Sequence, residues 1–167
     1  LGRPKGKIDK KLSLMPVGEV LADLLEMPIK FSHDCIGEDA HYVTLGLKSG
    51  EIHLLENLRF SNGEIENDKD FSSKLAKHGD IFINDAFGTA HREHASNVGI
   101  IDYFSHRGMG FLIEREIKTT RRAISHRRNH PPLKSQNRKS RHHLSSVCIR
   151  IRLRRQPFCT HAHNRRI

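Results

Sequence analysis

Arg3, Arg59 and Arg92 are the residues of this chain whose types and positions could do chemistry together, with His91 and His94 flanking the last of them. A guanidinium presents paired N–H donors that match a phosphate or a carboxylate, and an imidazole adds a donor whose charge changes near neutral pH. Arginines gathered on one edge of a sheet would therefore hold a small molecule carrying both anionic groups. A single arginine after a strand is ordinarily a solvated surface residue, so what matters is whether the fold brings these three together.

The elements that would do so are legible as an alternation of helices and strands. Leu14, Val17, Val20, Leu21, Leu24 and Leu25 recur at helical spacing behind Ser13 and Pro16, and Pro28 marks the end. "IKFSHD" reads as a short strand. A second amphipathic segment over 40–47 is closed by Gly50, and "EIHLLENL" is an apolar strand leading into Arg59. A third helix has Asn67 to cap it, Asp68 and Asp70 at its positive end, Phe71 and Leu75 on one face and Gly79 to stop it. "IFIN" follows as a buried type of strand, and Phe111, Ile113, Ile117 and Ile124 predict a helix over 110–125.

Such an order implies βαβ units: an α/β fold with a Rossmann-like parallel sheet and helices on both faces. Ligands bind beyond the carboxyl ends of the strands in sheets of this kind. The segments at those ends are "DCIG", "ENLRF" and "NDAFGTAHREH"; the last two deliver Arg59 and Arg92. Arg3 sits in "LGRPKG", where Gly2, Pro4 and Gly6 punctuate a turn.

"LGRPKG", "SLMPV", "DCIG", "GEIHLLENLRFSNGEIEND" and "GDIFINDAFGTAHREHAS", in this order, resemble the N-terminal domain of phosphoglycerate kinase, with "LLENLRF" and "NDAFGTAHR" the most specific. The resemblance covers residues 1–125. It implies that Arg3, Arg59 and Arg92 bind 3-phosphoglycerate, with Leu1, Gly2, His91 and His94 as a supporting loop and basic patch. Asn84 and Asp85 shape the loop, and Cys35 has no catalytic role. The family reaction is reversible phosphoryl transfer between 1,3-bisphosphoglycerate and ADP in glycolysis, with magnesium, in a cytoplasmic monomer. One lobe holds the phosphoglycerate, the other the nucleotide, and closure excludes water between them.

The chain departs from that pattern at both ends. The family's first strand, with its Asp-x-Asn motif, and the His before Leu1 are missing, so the sheet is expected to be incomplete and prone to expose edge and apolar face. No glycine follows Gly110, so no glycine-rich phosphate cradle can be built beyond it. "GRPKGKI" is no P-loop either, having too few residues between its glycines and Ile8 where Ser or Thr is needed. Neither nucleotide-binding nor metal-binding residues are identifiable, and the chain alone is expected to be inactive, with ATP, ADP and magnesium bound by the missing lobe.

Charge divides the chain at the same place. Residues 1–117 hold 14 Lys/Arg and all 19 Asp/Glu, whereas 118–167 hold 15 Lys/Arg and no acid. Acids form about an eighth of an ordinary chain, so roughly six are expected in fifty residues. Residues 126–167 are therefore expected to be a separate, basic and disordered tail. The abrupt loss of the family pattern is what a shifted reading frame would give; a basic arm that neutralises nucleic-acid phosphates is the alternative. Cys148, Cys159, His161 and His163 fit no common zinc spacing. With Cys35 they leave an odd cysteine count and no disulfide framework.

Overall fold

The computed structural model describes residues 2–129. Its first helix, α1 (Met15–Leu25), carries Pro16 in the first turn but is not capped by Ser13. Instead the Glu56 carboxylate accepts from Leu14 N at 2.7 Å and from Ser13 Oγ at 2.6 Å, filling the role a local cap would have. Glu26 ends the helix in the left-handed conformation, two residues before Pro28.

Strand β1 (Ile29–Ser32) pairs in parallel with β2 (Ile52–Leu55), Ile29 opposite Ile52 and Ser32 opposite Leu55. Between them runs α2 (Glu38–Leu45), closed by Gly46 rather than Gly50. Neighbouring strand residues point to opposite faces, and His53 and Leu54 show it. Thr44 of α2 lies 2.9 Å from the His53 ring, while a Cβ at Gly18 of α1 would come within 3.3 Å of Leu54 Cδ2. Helices thus cover both faces of this pair, as the alternation predicts.

After the short α3 (Asn62–Ile65), α4 (Lys69–Ala76) starts at Asp68, whose carboxylate accepts from Phe71 N at 2.7 Å. Asn67, the expected cap, takes a left-handed turn at φ 55° just outside the helix. Strand β3 (Ile81–Asn84) pairs in parallel with β4 (His106–Met109), a strand without any apolar run to announce it. The ladders are two separate pairs, where one continuous sheet was expected. They meet over one core: Phe71 and Leu75 of α4, Phe82 of β3, Ala95, Ile100 and Phe104, with Leu55 of β2 packed against it. Phe82 and Phe104 stack at 5.7 Å between ring centres. The opposite face of β3 is open, and Ile83 is 51% exposed there.

The last helix, α5 (Phe111–Asn129), runs past residue 125. The expectations for the remainder of the tail, 130–167, concerning disorder, a shifted frame, nucleic acid and Cys148 with its neighbours, lie outside the described residues, as does Leu1.

Candidate functional site

Asn57 opens the segment after β2. Its side-chain oxygen accepts from Arg59 N at 3.2 Å, so the 3-10 turn Leu58–Phe60 starts there and swings Arg59 off the strand end. Arg59 is then tied twice to the 2–6 loop. Its Nη1 donates to Gly2 O at 3.1 Å, and its carbonyl accepts from Gly6 N at 3.2 Å. Gly2, Lys5 and Gly6 all have positive φ, which is why glycines punctuate this turn.

The loop after β3 is built by its own polar residues. Asn84 Oδ1 accepts from Ala86 N at 2.9 Å, and Asp85 Oδ1 accepts from Ile113 N at 2.9 Å at the start of α5. Asn84 and Asp85 therefore shape the loop. A 3-10 turn, Phe87–Thr89, leads to Arg92, whose N–H donates to Thr89 O at 2.9 Å. Asn97 donates through Nδ2 to Thr89 O at 2.7 Å and to Arg92 O at 3.4 Å, bracing the turn from within.

These two loops and the 2–6 segment converge. Burial, with Arg92 and Arg3 close by, lowers the basicity of Arg59, and the Glu64 carboxylate opposes them. His94 is lowered as well, first by burial and then by Arg59, Arg92 and His91. Mutual repulsion of this kind requires the three arginines and two histidines to share one concave region. That region is an excess of cationic donors waiting for an anion.

A participant that the sequence reading passed over is Glu64 of α3, 3% exposed. It accepts from Ser96 N at 2.9 Å and Ser96 Oγ at 2.6 Å, and stands 3.6 Å from His94 Nδ1. The only signal for it was a lone acid inside "SNGEIEND", indistinguishable there from Glu66 or Asp68.

Cys35 is buried and donates to Glu56 O at 3.0 Å; burial, then the Asp34, Glu56 and Glu64 charges, push its thiol well up, which leaves it an inert structural group. Among the described residues no group of three or more His, Cys, Asp or Glu could hold a metal ion. No described helix is long and apolar enough to cross a membrane.

The family model for phosphoglycerate kinase matches residues 1–133. The phosphoglycerate kinase of Chlorobium chlorochromatii (strain CaD3) is 50% identical over 124 residues, covering 74% of this chain and 31% of that protein. The one from Borreliella burgdorferi (strain ZS7) is 52% identical over 118 residues, 71% of this chain and 30% of that protein. Among solved structures, phosphoglycerate kinase from Coxiella burnetii superposes with a TM-score of 0.62 at 36% identity, over 74% of this chain and 30% of that one. The enzyme from Pyrococcus horikoshii OT3 gives 0.61 at 39% identity, over 66% and 29%. The chain spans about a third of the length of the relatives it matches.

Proposed function

Because the chain belongs to the phosphoglycerate kinase family, we propose that residues 1–125 are the part of an N-terminal lobe that holds 3-phosphoglycerate for phosphoryl exchange between 1,3-bisphosphoglycerate and ADP. The observation that carries this is the convergence of Arg59, Arg92 and Arg3 at the strand ends, close enough to depress one another's basicity. Arg59 and Arg92 neutralise and orient the anion with paired donors, Arg3 adds charge at the rim, and His91 and His94 complete the patch. Leu1 and Gly2 support the turn, and the Gly2 carbonyl aims the Arg59 side chain.

These residues bind and position; none is placed to take a proton from substrate or to form a covalent bond with it. Phosphoryl transfer depends on alignment and charge neutralisation, which makes such a site half of what is required. In the whole enzyme ADP or ATP with magnesium supplies the transferred group and its counter-charge. The described residues do not suit that group, being a cationic cluster without metal ligands, and no step is assigned through it. By itself the chain is a cytoplasmic, monomeric binder without turnover.

Titration calorimetry with 3-phosphoglycerate tests this, beside a coupled assay with ATP and 3-phosphoglycerate. Weak binding lost in Arg59→Ala, with no turnover, is the expected outcome. Turnover by the purified chain, or no binding by folded protein, overturns it. Binding of nucleic acid by 126–167 is the second reading, favoured by the acid-free run; salt-sensitive DNA binding that disappears on deleting those residues would move it ahead.

A further inference from the structure

Glu64 holds the 94–97 segment in two ways. Its main-chain carbonyl accepts from Ala95 N at 2.9 Å, and its carboxylate binds both the N–H and the hydroxyl of Ser96. This anchors the residues on either side of His94's neighbour and sets the imidazole against the carboxylate. The His94 and Glu64 side chains are 14% and 4% exposed, so the 3.6 Å approach is largely shielded from water.

The charged and titratable groups facing His94 come from three elements: Glu64 on α3, Arg59 on the turn after β2, and Arg92 and His91 on its own loop. Arg3 acts at one remove, through Arg59. The cations outnumber the single carboxylate, so without an anion the imidazole is kept uncharged. Burial in turn favours the protonated form of Glu64, against its Ser96 hydrogen bonds and Arg59. An anion seated on Arg59 and Arg92 cancels the repulsion, and the carboxylate then becomes the dominant neighbour of the imidazole.

We propose that His94 and Glu64 form a proton-accepting pair coupled to the anion site: seating a divalent anion on Arg59 and Arg92 draws a proton from solvent onto His94, with Glu64 as the residue that positions and stabilises the imidazolium. The proton goes to His94 Nδ1 or Nε2 and no bond is broken, so the balance is one proton consumed from buffer for each pair that charges. The inference rests on the reading of the cluster as an anion site and adds to it a dependence on pH that arginines alone do not give.

Sulfate is a suitable probe, since it is divalent and does not titrate near neutral pH. The full chain is titrated with sulfate by calorimetry at about pH 6.5, the ordinary histidine value, in two buffers of different ionisation enthalpy and equal ionic strength. The apparent enthalpy is expected to differ between buffers by an amount that corresponds to uptake of a fraction of a proton, and affinity to fall several-fold from pH 6 to pH 8. In His94→Asn and in Glu64→Gln the buffer dependence disappears or is strongly reduced. Gln keeps an acceptor for Ser96, so a merely structural Glu64 would leave the proton count unchanged in that variant. Equal enthalpies in both buffers for the unaltered chain overturn the pair, and an unchanged proton count in Glu64→Gln overturns the part given to Glu64. Sulfate binding that Arg59→Ala and Arg92→Ala leave intact would instead overturn the anion site itself.

Discussion

Thr44 Oγ1 lies 2.6 Å from His78 Nδ1, joining helix α2 to the end of α4 across 34 residues. The same hydroxyl is 2.9 Å from His53 Nδ1; Ser32 Oγ meets His53 Nε2 at 2.7 Å, and His78 Nε2 meets the Cys35 carbonyl at 2.9 Å. The carbonyl can only accept, so His78 must donate from Nε2 and, if neutral, accept at Nδ1. Thr44 then donates to His78, His53 donates to Thr44, and Ser32 donates to His53. The chain closes with both imidazoles neutral and every donor pointing the same way.

Acid should therefore destabilise this protein through His53. Burial, with Lys30 nearby, lowers it to about 4, whereas the unfolded residue titrates at about 6.5. The unfolded state binds the extra proton between those values, so stability is fully present above pH 6.5, falls as pH drops and levels off below 4. The loss amounts to about 3 kcal/mol in all. Urea denaturation at pH 7.5, 6 and 5 checks it, and His53→Leu should flatten the fall; an equally steep fall in that variant would place the effect elsewhere.

Arg59→Ala and Arg92→Ala should each weaken 3-phosphoglycerate by about 10- to 150-fold, the equivalent of a charge-assisted bond of about 1.5–3 kcal/mol. Arg59→Lys should recover little, because an ammonium cannot span the Gly2 carbonyl and an anion with a planar fork. Calorimetric titration of the four proteins separates these cases.

Gly6→Ala should damage the site more than the fold. Its φ of +73° disfavours any side chain, and a Cβ there would collide with the Asn62 side chain. A cost of about 1–3 kcal/mol is expected, taken up by displacing the 2–6 loop and slackening Arg59. Ligand affinity should drop several-fold while the thermal midpoint moves little. A large fall in midpoint with unchanged affinity would reverse that assignment.

Glu56→Ala removes the acceptor for Leu14 N, Ser13 Oγ and Asn57 N in a buried setting. About 2–4 kcal/mol of stability should be lost, with amides at the start of α1 exchanging faster than those of α4. Uniform acceleration across both helices would mean that the carboxylate supports the fold as a whole rather than this one helix end.

The strands and helices that carry their own signals were legible in the sequence. "IFIN" and the apolar spacing of α1 and α4 report burial directly, and the loop arginines follow from strand order. What escaped was set by partners far along the chain. Ser13 gave a plausible local cap that Glu56 displaced, and Asn67 yielded to its neighbour Asp68, which has the better geometry for Phe71 N. Strand β4 (His106–Met109) is polar and short, paired because β3 presents an edge to it. Glu64 and the His53–Thr44–His78 chain are polar groups turned inward, and a polar residue looks the same in a sequence whether it faces water or a buried partner.

The cap that α1 borrows from Glu56 also orders events in time. Leu14 leaves the ribosome 42 residues ahead of the carboxylate that will accept its N–H. At roughly 5–20 residues per second, synthesis leaves the helix start without that partner for about 2–8 s. The first helix of the chain is thus among the last to be secured, and a pause in translation before residue 56 would prolong the interval in which its apolar face is available to chaperones or to other nascent chains.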